Sequence, residues 1–212
     1  SISAEKLLSR LETKAGNQQV AGLAALYCIA KLYPDLINNA LLEKITKKTL
    51  SLQHSEGWFF EYDGADIGYL SVTLDCLYDI YDCSQRGDIL ESIRKSINFT
   101  YNVLSMCEGY LSGINSRNTD YILPYGFVRG FTHNDCEISD QSKFILARLS
   151  KWDIFDTIDD RYWSHYIGHS VIRASNLLNS VTDRGYYDSS NLLPKNHLPK
   201  AGLFALGTLD EY

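Results

Sequence analysis

Glu61 and Asp66 lie together in "SLQHSEGWFFEYDGADIGYL", residues 51 to 70 of this 212-residue chain. Two carboxylates in one loop can serve a glycosidase as acid and as base or nucleophile, their separation deciding between retention and inversion. The same stretch offers Trp58, Phe59 and Phe60 for stacking on sugar rings, and Tyr62 and Tyr69, whose polar neighbours keep their hydroxyls wet. Each has a plainer use as well: Trp58 as a wedge between helices, Asp66 as the cap of the helix that follows it. Farther on, "SRNTDY" sets Arg117 and Asn118 close to Tyr121, and a guanidinium in a loop can grip a carboxylate with two parallel hydrogen bonds. The structural use of that charge is a salt bridge to Glu61 or Asp66. His133, in "FTHND", is a candidate base in a polar turn. His165 and His169 stand four apart on a helical pattern, a spacing that suits a shared metal, but no third ligand is placed with them. No metal site and no cofactor are expected.

The elements that position these residues read as helices. From Gln18 to Tyr33 apolar residues run nearly all round the helix, predicting burial on most sides. From Leu36 to Leu52 they narrow to a stripe, with Glu43, Lys44, Lys47 and Lys48 elsewhere. The alternation repeats, because Tyr69 to Tyr81 is apolar almost throughout and Ile89 to Leu104 is again a stripe. Later helices are predicted over Ser139 to Ser150, capped by Ser139 or Asp140, and over Asp159 to Ser180. No stretch alternates convincingly with period two, so strands are expected to be minor.

Composition narrows the partners. Twenty basic against twenty-six acidic residues give a net charge of -6, and the only basic cluster is Lys44, Lys47 and Lys48, which argues against nucleic acid. The longest strongly apolar run, Val20 to Ala30, is about half of a membrane span, and no signal-peptide pattern opens the chain. Five cysteines, Cys28, Cys76, Cys83, Cys107 and Cys136, are an odd number without a paired CxxC spacing, and three sit inside apolar helical patterns. A soluble protein of a reducing, cytoplasmic compartment is the expectation. Without a linker rich in Pro, Gly or Ser, residues 1–212 read as one domain, and as a piece of something larger.

The opening stretch has a counterpart. Glu56-Gly57-Trp58 returns as Glu108-Gly109-Tyr110, and the same offset carries Tyr69 onto Tyr121 and Asp66 onto Asn118. A third copy starts at Gly185-Tyr186 and places His197 where the first has Tyr69. Each copy has a Gly-aromatic pair, a polar loop, and a ring at the mouth of a buried helix, which fits one helical hairpin per repeat. Hairpins that alternate a buried with an amphipathic helix predict an all-α fold, an α/α toroid in the form of an incomplete ring. Loops leading into its inner helices would line a pocket at one end.

"QHSEGW" resembles a degenerate Gln…Gly-Trp repeat of terpene cyclases and prenyltransferases. "EGWFFEYDGADIGY" and "EGYLSGINSRNTDYILPYG" more closely resemble the loops of toroidal polysaccharide lyases of the heparinase and chondroitin-lyase type. The likeness runs over residues 17 to 205 and corresponds to about four hairpins of a ring of six or seven. The first family's chemistry is not supported, since Asp79…Asp82 and Asp156…Asp160 are not the paired aspartates of a magnesium-diphosphate site. The lyase resemblance implies a cation or amide that neutralises a uronate carboxylate, here Arg117 and Asn118. It also implies a Tyr or His that removes the proton at C5, here Tyr121 or His133.

The reading is therefore a carbohydrate-active protein acting on a poly- or oligosaccharide by lyase-type elimination. Its catalytic candidates are Tyr121, Arg117, Asn118, His133, Glu61 and Asp66, and its substrate-binding candidates Trp58, Tyr62, Tyr69 and His197. The net negative charge disfavours a highly sulfated substrate. Two alternatives stand beside it: a noncatalytic helical-repeat module that binds a glycan or a protein, and a glycoside hydrolase using Glu61 and Asp66.

Overall fold

The computed structural model describes residues 12, 14–62, 64–106, 121–150 and 167–182. They form seven helices: α1 Gly16–Leu32, α2 Asn39–Leu50, α3 Ile67–Ser84, α4 Gly87–Met106, α5 Tyr125–Phe131, α6 Cys136–Leu149 and α7 Gly168–Thr182. Helix accounts for 76% of the described residues and no strand forms among them, so the described part is all-α.

Helix ends follow local chemistry. Pro34 disfavours helical backbone at Tyr33, so α1 stops there and a short 3-10 turn, Pro34–Leu36, leads away. Asn38 caps α2 by accepting from Leu41 N at 3.0 Å, and Asp66 caps α3 by accepting from Tyr69 N at 2.8 Å. α3 ends at Gln85, which takes a left-handed conformation at φ 52. The cap of α6 is Asp135, whose carboxylate accepts from Glu137 N at 3.1 Å and Ile138 N at 3.3 Å. That corrects the expected Ser139 or Asp140 cap: the helix starts three residues earlier, where a carboxylate can reach its first N–H groups. Of the helix predicted over Asp159 to Ser180, residues 159–166 lie outside the described residues, and α7 covers the remainder. The sequence pattern missed α5, whose seven residues include six buried ones and so show no polar face.

The described residues through Phe99 form one compact unit, and those from Thr100 a second. In the first, α1 lies along α3 with the two helices parallel. Gly16 N donates to Phe60 O at 2.9 Å close to the start of α3, while at the other end Lys31 Nζ reaches Asp82 O at 3.4 Å. α2 returns antiparallel against α1, with Gln19 Nε2 donating to Thr49 Oγ1 at 3.0 Å and Tyr27 OH 3.0 Å from Thr46 Oγ1. Val20, Leu23, Leu26, Ile45, Leu74, Leu77, Tyr78, Ile93 and Ile97 fill the interior, each aliphatic contributing roughly 1.5–3 kcal/mol by leaving water. No residue of α3 is exposed, as its continuous apolar character predicts. α1 differs from its expectation: Cys28, Lys31 and Leu32 are exposed, so it is buried along one side rather than nearly all round. Arg86, just before α4, ties α2 to the start of α4 by pairing with Glu43 of α2 and with Asp88, the latter at 2.6 Å.

In the second unit α5 packs on both α6 and α7. Tyr125 N donates to Ser170 Oγ at 3.1 Å, and the Arg173 guanidinium sits 3.6 Å from the centre of the Tyr125 ring. Among the described residues, no helix is long and apolar enough to cross a membrane.

Candidate functional site

The loop between α2 and α3 is a small extended hairpin pinned to its own unit. Gln53 pairs across it with Phe59, His54 N donates to Trp58 O at 2.7 Å, and Gly57 N closes the tip by donating to His54 O at 2.9 Å. Two glycines let this hairpin lie against helices. Gly57 has φ +110, and a Cβ there would fall 2.1 Å from the Lys95 carbonyl oxygen of α4. A Cβ on Gly16 would meet Phe59 Cβ at 2.9 Å, where α1 begins against the returning strand of the loop. The Gln53 amide nitrogen lies 2.9 Å from Gly57 O, 3.0 Å from Ser92 O and 3.1 Å from Ser96 Oγ, fastening the tip to α4.

From Gly57 to Tyr62 burial alternates residue by residue, as extended backbone requires. Gly57, Phe59 and Glu61 face inward. Glu61 is 1% exposed, and its Oε1 accepts from Asn17 N at 2.6 Å, supplying the first turn of α1 with the cap that Ala15 lacks. Outward stand Trp58, Phe60 and Tyr62, joined by His54 from the other arm of the hairpin. His54 stacks on Trp58 with ring centres 4.4 Å apart and planes at 19°, and Phe60 meets the Trp58 ring edge-on at 4.9 Å. Glu56 braces this group, accepting from Trp58 Nε1 at 2.8 Å and lying 3.5 Å from His54 Nδ1. Phe60 is 38% and Tyr62 42% exposed. Tyr62 also holds φ 50, a left-handed conformation uncommon for a residue other than glycine.

The candidates of the first unit thus fall into two sets. Trp58 and Tyr62 belong to the outward row, Trp58 half-buried within its stack and Tyr62 open to water. Glu61 and Asp66 are each 1% exposed and each holds a helix N-terminus. Tyr69 is half-buried in the first turn of α3, its backbone N–H taken by Asp66. In the second unit, Tyr121 is 6% exposed, just ahead of α5. His133 is half-buried in the turn after α5, and its Nδ1 accepts from Asp135 N at 3.1 Å. A neutral imidazole bonded in that way carries its proton on Nε2, so it is arranged to donate there. Arg117, Asn118, His165 and His197 lie outside the described residues. His169 is exposed on α7, and no group of three metal-ligating side chains occurs among the described residues.

His54 was not singled out in the sequence, although it precedes Trp58 by four residues with a turn-forming Ser-Glu-Gly between them. The pairing of Gln53 with Phe59 is what brings its ring alongside the indole.

Comparison with family models, with curated proteins and with solved structures returns no match. The site is therefore interpreted from its own chemistry. Stacked and edge-on rings at a surface present flat apolar faces flanked by a carboxylate, which suits a ligand that combines C–H faces with hydroxyls.

Proposed function

We propose that this chain is a carbohydrate-active protein of the α/α-toroid type whose 54–62 loop engages a poly- or oligosaccharide. The observation that carries the reading is the outward row of His54, Trp58, Phe60 and Tyr62, with an aromatic side chain held at left-handed backbone beside another exposed ring. Such backbone is sparsely populated because it is unfavourable, and it collects at functional sites. A pyranose ring laid on these faces would bury its C–H groups while its hydroxyls reach Glu56 and water. Support for the toroid comes from the first unit, where the parallel helices α1 and α3 are followed by the amphipathic helices α2 and α4.

Elimination at a uronate sugar is the chemistry proposed for this protein. Arg117 and Asn118 would neutralise the carboxylate and Tyr121 would take the C5 proton. A hydrolase built on Glu61 and Asp66 has less in its favour, since each carboxylate already accepts from a helix N-terminal N–H.

Calorimetric titration with a panel of neutral and uronate-containing oligosaccharides tests the binding reading. Binding by the wild type should fall tenfold or more in Trp58→Ala, a loss of about 1.4 kcal/mol. A wild type that binds no member of the panel overturns it. Ultraviolet absorbance of an unsaturated uronate product, lost in Arg117→Ala, separates elimination from binding alone.

A further inference from the structure

At the end of α1 far from the aromatic loop, two thiols come together. Cys28 is exposed on α1, and Cys83 is half-buried in the last turn of α3. The two helices pack side by side and in parallel, and Lys31 of α1 reaches the carbonyl of Asp82, the residue before Cys83, at 3.4 Å. That contact places Cys28, one turn before Lys31, next to Cys83 where the two helices pack, with Lys31 and Asp79 as the charged neighbours of Cys83. No disulfide joins them. Measured along α1 from Gly16 to Cys28, the pair is about 18 Å from the loop end, by helical rise alone.

We propose that Cys28 and Cys83 are a thiol–disulfide exchange site at which an oxidised low-molecular-weight disulfide, such as oxidised glutathione, cross-links α1 to α3. Exposure makes Cys28 the sulfur that attacks the small disulfide first. Its thiolate displaces one thiolate from the small disulfide and forms a mixed disulfide. The Cys83 thiolate then attacks Cys28 Sγ and expels the second small thiolate. The two protons released by the protein thiols end on the two small thiols, and the two electrons of the protein dithiol reduce the small disulfide. Burial and the nearby Cys28 push the Cys83 thiol up from its ordinary range, with Lys31 opposing them, so Cys83 suits the second, intramolecular step. In a reducing compartment such a pair would be a sensor rather than a permanent staple. This inference does not depend on the carbohydrate reading.

The test is to incubate the full chain with oxidised glutathione, block remaining thiols, digest, and identify linked peptides by mass spectrometry. The wild type should lose two of its thiols and yield a Cys28–Cys83 peptide. Cys83→Ser should stop at a glutathione adduct on Cys28, while Cys76→Ser should cross-link as the wild type does. The oxidised wild type should also have a higher thermal midpoint than the reduced form. A stable adduct on Cys28 of the wild type, a link between any other two cysteines, or no thiol loss while a control dithiol peptide oxidises would each overturn the proposal.

Discussion

Alternate residues from Gly57 to Tyr62 face opposite ways, and the two sides of this one segment are held by different physics. The inward side leaves no room: Gly57 touches the backbone of α4, Phe59 is 1% exposed against α1, and Glu61 Oε1 accepts from the first turn of α1. The outward side is built of large rings that mostly touch one another. One side should thus govern stability, the other binding, and substitutions can separate them.

The largest expected effect is that of Gly57→Ala. Its methyl would have to clear a carbonyl oxygen 2.1 Å away from a positive-φ backbone, and a loss of about 3–4 kcal/mol by urea unfolding is expected. Glu61→Ala comes next, at roughly 2–3 kcal/mol, because it removes a buried acceptor and leaves the Asn17 N–H without it. Should Glu61→Ala unfold like the wild type yet lose activity, Glu61 would be a reacting group and the two-sided picture would break. Asp66→Ala, the loss of an ordinary cap, should cost about 1 kcal/mol.

A smaller effect concerns acid. Arg86 lowers the carboxyl groups of both Asp88 and Glu43 below their ordinary values. A lowered folded value means stability that is present above the usual carboxylate range and is lost as pH falls through the folded value. Unfolding midpoints measured between about pH 5 and pH 2 should therefore drop less steeply in Arg86→Ala than in the wild type. The smallest effect is reserved for Tyr62→Gly. Relief of the left-handed strain and the greater freedom of the unfolded glycine chain roughly cancel, leaving stability within about 0.5 kcal/mol, while saccharide affinity falls.

Helices were the legible part of this chain because their apolar residues recur with a clear period, and α2, α3 and α4 were placed within a few residues. The cap of α6 was misplaced because Ser139 and Asp140 are the right residue types, and only the backbone geometry selects Asp135. The extended 57–62 segment hid its period of two, since its inward members are a glycine, a phenylalanine and a glutamate rather than three apolar residues. Glu61 shows the limit most clearly: as a charged residue in a loop it reads as a solvent or site group, and its burial follows from an unmet N–H in a helix far back along the chain.

That separation sets an order of events. α1 has no cap of its own, and the group that supplies one is 44 residues later in the chain. During synthesis its first turn would stay frayed until the segment through Glu61 has left the ribosome, so the start of α1 is among the last parts of its hairpin to settle.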